Sequence, residues 1–322
     1  MILIVTNKFD PHADAVIKYL KEKGVGFLRF NTEDFPTKSR LSLLHEDSSF
    51  RGYIMLPAGV LDIAKIKSVW YRRPQPPYIS KDIGLEFARE FALEESKASL
   101  SNLWRVLDCF WVNHPRLVWA AENKLYQLKI ASRLGFKIPK TLVTNDPEKI
   151  EDFFQICKGE MINKVIGRGM IEEKERTLLI YTHKIEKKDL EKIDQVKYTP
   201  ALFQEHIPKK VEIRVTIVGK KVFPVEIHSQ ESPKTKDDWR RYDFEKTPHY
   251  PHNLPKEVED KCLALLEKFQ LNFGAIDMVL TPNDEYVFLE LNPNGQWLWL
   301  EHLTGLPISE EMAKLLIKAG QD

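Results

Sequence analysis

Residues 273–292 read FGAIDMVLTPNDEYVFLELN. Two runs rich in β-branched, aromatic and other apolar residues flank Thr281-Pro282-Asn283-Asp284-Glu285, a turn-forming composition. The stretch therefore predicts a β-hairpin with strands 273–280 and 286–292. A symmetric hairpin centred on Asn283-Asp284 sets Asp277 opposite Glu290. Cross-strand partners share a face with Cβ atoms about 5 Å apart, and Asn292, two residues beyond Glu290, shares it too. The opposite face takes Ile276, Met278, Leu280, Val287, Leu289 and Leu291, a core pattern. Two opposed carboxylates repel and need a cation or a shared proton. Two carboxylates and an amide are hard oxygen donors that suit magnesium bound together with substrate phosphates. A solvated polar face on an edge hairpin is the competing reading. The turn Asn292-Pro293-Asn294-Gly295 favours the metal site, because it can present Asn292 at a cavity.

Upstream, the chain opens on a strand–helix–strand pattern. Residues 1–6 form the continuous apolar run of a buried parallel strand. Residues 13–23 put Val16, Ile17 and Leu20 on one helical face, Gly24 stops that helix, and residues 25–30 form the next strand. Such a start predicts an open α/β sheet. The glycine fingerprint of dinucleotide folds is absent after the first strand. Residues 68–73 make a strand ending in Arg72-Arg73, and residues 85–107 and 119–134 read as two long helices. From residue 161 onward short strands dominate, at 161–166, 177–182, 201–206, 211–218 and 221–229. Gly219-Lys220 centres a tight hairpin, and Pro224 places its strand near a sheet edge or bulge.

The 322 residues are 43% hydrophobic and 30% charged, which is ordinary for a soluble globular protein of two or three units. A net charge of +1 leaves no electrostatic footprint for nucleic acid. The apolar runs are too short for a membrane span. The first residues lack a basic leader and read as a strand, not a signal peptide. Cys109, Cys157 and Cys262 are not spaced as metal pairs and read as core thiols in a reducing, cytoplasmic setting.

Ile276-Asp277-Met278 followed by Phe288-Leu289-Glu290-Leu291-Asn292-Pro293-Asn294-Gly295 resembles the metal-binding end of the ATP-grasp superfamily. Within it, the chain is similar to the microviridin-type macrocyclases, or graspetide synthetases. The resemblance rests on Val69-Trp70-Tyr71-Arg72-Arg73-Pro74, Asn113-His114-Pro115, Glu122-Asn123-Lys124, Glu205-His206-Ile207, Asp238-Trp239-Arg240 and the Asn-Pro-Asn-Gly-Gln-Trp tail, in that order along nearly the whole chain. It implies a mixed α/β and α+β fold of ATP-grasp architecture. An N-terminal open α/β domain (residues 1–115) would be followed by a small central lobe (116–200) and a C-terminal antiparallel-sheet lobe (201–322).

The resemblance also implies roles. Asp277, Glu290 and Asn292 would hold magnesium, two ions in all. Lys124 and Lys164 would hold the ATP phosphates, Lys164 as a catalytic point charge on the transferring phosphoryl group. Gln204, Glu205, His206 and Ile207 resemble the linker that meets adenine, and Glu212 would hold ribose hydroxyls, an edge-strand surface position being its alternative. Arg214 either pairs with Glu212 or grips phosphate or substrate carboxylate. Arg240 is the preferred anion clamp of its segment, and His228 either packs or forms a polar wall of the cleft. Arg72 and Arg73 end a strand of an open α/β sheet, where ligand crevices form, and are candidates for a peptide carboxylate. The short Gly167-Arg168-Gly169 segment reads as a plain turn or as a reduced glycine-rich phosphate loop. Trp297 either packs or walls the acceptor site.

The activity implied is that of an ATP-dependent ligase. It would convert Asp or Glu side-chain carboxylates of a ribosomal precursor peptide to acyl phosphates. Attack by Ser or Thr hydroxyls would give ω-esters, and attack by Lys amines ω-amides. A leader segment of the precursor would be recognised, and the enzyme would be a homodimer. A ligase adding free amino acids to a protein or small acid, an ATP-grasp kinase, and a nucleotide-binding regulatory module are the alternatives. The complete Asp277, Glu290, Asn292 set argues against the last.

Overall fold

The computed structural model describes residues 1–319, leaving out Arg168, Lys174, Glu175, Asp237, Tyr242 and Phe244, and also the side chains of Met170, Glu172, Glu173, Arg176, Thr177 and Arg240. The first strand, Ile2–Thr6, is buried throughout and lies inside a four-stranded parallel sheet. Phe27–Asn31 flanks it on one side, with Ser68–Tyr71 and then Phe110–Val112 on the other. Helix Pro11–Glu22 makes the crossover. Asp10 caps it by accepting the His12 backbone N–H, and Gly24, at φ +64°, ends it in the left-handed region that a Cβ disfavours. A three-stranded antiparallel sheet, Arg40–Glu46, Ser49–Leu56 and Gly59–Asp62, is inserted after the second strand. Helix Glu86–Val106 returns the chain to the sheet.

The helix expected over residues 119–134 is two helices, Pro115–Ala121 and Lys124–Arg133. Each has its own start signal. His114 accepts the Arg116 N–H ahead of Pro115, and Asn123 accepts the Tyr126 N–H. Capping side chains compete with helix continuation, and the break falls at Glu122-Asn123. Next comes a four-stranded sheet, in spatial order His183–Lys184, Met161–Lys164, Ala201–Glu205 and Thr141–Thr144. It packs on helix Pro147–Ile156 through Ile150, Phe153, Met161 and Phe203. The strand expected over 177–182 is instead half of a separate ribbon, Met170–Glu173 with Arg176–Leu179.

The last sheet has five antiparallel strands, in order His249–Pro251, Lys221–Ile227, Val211–Val218, Phe273–Leu280 and Tyr286–Asn292. Gly219, at φ +59°, makes the two-residue hairpin turn. Pro224 sits just beyond the reach of the short outermost strand, where its missing N–H interrupts no ladder bond. Helices Lys124–Arg133 and Lys256–Lys268 cover one face, burying Leu128, Ala131, Leu265 and Leu266 against Ile213, Val215, Ile276 and Met278. Helix Ile308–Lys318 packs between this sheet and the parallel one through Met312 and Leu316, with Ile4, Trp70, Val218 and Phe273. Among the described residues no helix is long and apolar enough to cross a membrane.

Candidate nucleotide and magnesium site

The decisive hairpin forms with Asp277 directly opposite Glu290 and Ala275 opposite Asn292. Between Asp277 and Met278 the register shifts, so that Met278 faces Phe288 and Leu280 faces Tyr286. This β-bulge corrects the expected core face. Leu291 and Phe288 join Ile276 and Met278 in the core beneath the sheet, whereas Val287 is buried outside that cluster and Leu289 is only half-buried. Leu289 is turned with Glu290 to the cavity side. A bulge inserts one unpaired residue and re-aims its neighbours. Strict alternation on a symmetric hairpin does not foresee it.

The three expected metal ligands meet. Asn292 Nδ2 donates to Asp277 Oδ2 at 3.0 Å and to Glu290 Oε1 at 3.3 Å. Arg214, opposite Asp277 on the neighbouring strand, donates from Nη1 to both of its carboxylate oxygens, at 2.8 and 2.6 Å. Lys124 Nζ lies 2.6 Å from Glu290 Oε2. Burial pushes the Asp277 carboxyl up; the Arg214 guanidinium opposes this and the charge of Glu290 adds to it. Arg214 is itself buried and pairs with Asp277, whereas Glu212 takes Lys209 and Ser229 as its partners. Gly295 makes room for this pair. A Cβ there would stand 2.4 Å from Ala275 Cβ and 2.7 Å from Arg214 Nη2.

Sequence reasoning missed the residues that hold the hairpin in place. Tyr286–Asn292 is an edge strand of the five-stranded sheet, and its outer backbone groups find partners in the Lys137 carbonyl, which accepts the Phe288 N–H, and in the Gln127 side chain. Gln127 Nε2 donates to Leu291 O at 2.8 Å and Gln127 Oε1 accepts Leu291 N–H at 2.8 Å. Asn113 uses both ends of its amide. Its Nδ2 donates to Phe273 O and Pro293 O, and its Oδ1 accepts from Asn272 N and Phe273 N. For Gln127 the signal available in the sequence was a polar residue at a helical position that faces the core; Asn113, just after strand Phe110–Val112, carried no such signal.

A cavity runs from Asp277 and Glu290 between the last two sheets. Lys124, Lys164, Gln204, Glu205, His206, Ile207, Glu212, Asp277 and Glu290 all line it, with Leu289 and Val279 as apolar floor. Lys164 ends its strand there. Glu212 is not an edge residue. Its strand is central and buried on both faces, so its carboxylate stays inside with Lys209 Nζ at 2.9 Å. Gln204 Nε2 donates to Thr141 Oγ1, and Gln204 Oε1 is buried with no hydrogen-bond partner. The Glu205 and His206 side chains are tied outward to Lys140 and Glu160. Across the cavity, Thr182 N–H donates to Asp238 Oδ2 at 3.0 Å, and Arg241 lies over the Tyr181 ring.

A second cavity adjoins the first and shares Lys124 and Glu290 with it. Arg72, Arg73, Glu122, Asn292 and Gly167 line it. Arg72 is only 1% exposed; its Nη1 donates to Asn294 O and its guanidinium stacks on Trp297. Burial, with the charge of Arg73, lowers its pKa to about 9. Arg73 also donates to Asn294 O. Trp297 is fully buried against His12, Trp70 and Phe273, so it walls no cleft. The structure does not bring His228 to either cavity. It bonds to Glu226 and Glu231 instead. The backbone of Arg240 belongs to a 3-10 turn, Trp239–Arg241, while its side chain lies outside the described residues, as does Arg168.

Among the described residues no group of three or more His, Cys, Asp or Glu side chains could hold a metal. The set present is two carboxylates and an amide, which fits magnesium completed by substrate phosphates. The profile of the RimK-like ATP-grasp domain matches residues 121–316, and that of the MvdD pre-ATP-grasp domain matches residues 1–118. The chain belongs to the RimK-like ATP-grasp family. Among solved structures it is similar to the macrocyclase MdnC of Microcystis aeruginosa bound with the precursor peptide MdnA, at 34% identity over 99% of this chain and 100% of that one, TM-score 0.88. It is also similar to a Chryseobacterium gregarium RiPP-associated ATP-grasp ligase in complex with ADP and a leader and core peptide, at 33% identity over 98% and 96%, TM-score 0.91. The macrocyclase MdnB of M. aeruginosa is 31% identical over 98% of both chains, TM-score 0.81. No curated protein sequence matches the chain. The ATP-grasp family and these neighbours make the chain an ATP-grasp ligase of the macrocyclase type.

Proposed function

We propose that this ligase uses ATP and magnesium to activate Asp or Glu side-chain carboxylates of a ribosomal precursor peptide and closes ω-ester or ω-amide rings within it. The observation that carries the reading is the junction of the two cavities at Lys124 and Glu290. A nucleotide in the first cavity can pass its γ-phosphoryl group to a carboxylate that enters from the second.

Gln204, with its unpartnered Oε1, offers an acceptor toward the adenine, and Glu212 an acceptor toward the ribose. Lys124 and Lys164 would hold the phosphates. Asp277, Glu290 and Asn292 would hold two magnesium ions, which supply neutralising charge to the phosphates when bound. Arg214 fixes the rotamer of Asp277 from beneath. Arg73, at the mouth of the second cavity, is placed to pair with a carboxylate. A carboxylate is a poor electrophile because it is anionic and lacks a leaving group; the acyl phosphate cures both faults. The hydroxyl or amine then attacks, and phosphate leaves. A homodimer in the cytoplasm belongs to the same reading, and sedimentation of the purified chain tests the dimer.

The test of function is mass spectrometry of the short Thr-, Ser-, Asp- and Glu-containing peptide encoded beside this chain's gene, after incubation with ATP and magnesium. Loss of one or more waters is expected; an unchanged mass overturns the reading. Cleavage of the product by mild base reports esters, and resistance reports amides.

A further inference from the structure

The break between helices Pro115–Ala121 and Lys124–Arg133 presents two opposite charges, Glu122 and Lys124, to the second cavity. Glu122 closes the first helix, its N–H donating to Val118 O, and Lys124 opens the next. Lys124 reaches Glu290 at 2.6 Å. Glu122 is solvent-exposed, and Trp119, one helical turn before it, lines the same cavity.

Ring closure leaves one proton to remove. The attacking hydroxyl or amine must come from the second cavity, because the first is lined as a nucleotide site. Among the described residues, two carboxylates line the second cavity, Glu122 and Glu290. Glu290 belongs to the proposed metal set, where its charge would face magnesium and the phosphates, so it is not the proton acceptor. The other charged groups facing that space, Arg72, Arg73 and Lys124, are cationic and do not accept protons.

We propose that Glu122 is the general base of ring closure, an assignment that rests on the carboxylate-activating reading above. As the nucleophile's lone pair forms the bond to the acyl carbon, its proton passes to a Glu122 carboxylate oxygen. The bond from that carbon to the phosphate oxygen breaks, and phosphate leaves with the electron pair. Glu122 then returns the proton to water or to the departing phosphate. Activation of the carboxylate needs no such base, since it transfers a phosphoryl group to an anion.

That separation defines the experiment. Hydroxylamine traps an acyl phosphate as a hydroxamate, and as a free amine near neutrality it attacks without a protein base. The full chain and its Glu122→Gln variant are incubated with ATP, magnesium and the short peptide encoded beside the gene, with and without hydroxylamine. The expected result for Glu122→Gln is hydroxamate formation within about two-fold of the parent and ring closure reduced about 100-fold, with Glu122→Asp partly restored. Continued hydroxamate formation also shows that the variant is folded. Unchanged ring closure overturns the assignment, and so does an equal fall in both reactions, which would mark a role in folding or nucleotide binding. If the parent chain forms neither hydroxamate nor ring, the carboxylate-activating reading itself fails.

Discussion

Gln127 holds both backbone groups of Leu291, its Nε2 on the carbonyl and its Oε1 on the N–H, each at 2.8 Å. Leu291 lies between Glu290 and Asn292, so one buried amide holds the backbone between two proposed metal ligands. Gln127→Leu would leave a buried N–H and C=O unpaired, at a cost of about 1–3 kcal/mol. Chemical denaturation should show that loss, and the magnesium concentration needed for half-maximal ATP turnover should rise. A variant with unchanged magnesium dependence would show that Gln127 serves stability alone.

Glu290→Gln and Asp277→Asn should each lower ring formation by about 100-fold or more, because each removes charge that would face the phosphates. The two should differ in stability. Asp277→Asn leaves Arg214 buried without its counter-ion, a loss of about 3–5 kcal/mol. Glu290 is more exposed and opposes Lys124, so its variant should stay close to the parent. Melting curves beside activity assays distinguish these outcomes, and retained turnover in Glu290→Gln would refute the metal assignment.

Gly295→Ala tests the room behind Arg214. Its Cβ would collide with Ala275 and with the guanidinium. A destabilisation of about 1–3 kcal/mol is expected from such overpacking. Turnover should fall with it, since the displaced arginine no longer holds Asp277. Full activity in Gly295→Ala would show that the Arg214–Asp277 pair is dispensable.

Asn113→Ala removes the partner of four backbone groups at once. About 3 kcal/mol or more of stability should be lost. Urea unfolding measures it, and a change under about 1 kcal/mol would mean that water replaces the amide.

The pH response follows from the histidines. Burial lowers His249 from an ordinary value of 6.5 to about 4, against a hydrogen bond with Thr247 that raises it. His12, His114 and His206 are lowered as well, each mainly by burial. Below 6.5 the unfolded chain binds these protons and the folded chain does not, so stability declines as pH falls from 6.5 toward 4. His249→Gln should therefore lose less stability than the parent between about pH 7 and about pH 5 in urea unfolding. Parallel losses in the two proteins would contradict the assignment.

Much of this was readable from residues 273–292 alone. Side-chain alternation in a strand is a local property, so a polar face carrying Asp277, Glu290 and Asn292 was legible, but the turn sets Leu280 against Tyr286, one residue off the symmetric count, and Asp277 comes opposite Glu290 only through the bulge. The helix stop at Gly24 and the hairpin turn at Gly219 were legible for the same reason, since positive φ is a demand on a single residue. The interrupted helix was misread because hydrophobic period outweighed the Asn123 cap.

The chain order thus determined which chemistry is available: two carboxylates, an amide and several lysines, on elements whose periodicity is local. Only the tertiary structure decided how they are aimed. The bulge that swings Leu289 toward the cavity depends on pairing across the sheet, and the burial of Arg214 beneath Asp277 on a third strand packing alongside. Gln127 and Asn113 are 164 and 160 residues from the backbone they bind, at Leu291 and Phe273. A buried backbone group will accept any donor or acceptor that packing brings within reach. No spacing along the sequence encodes which one arrives.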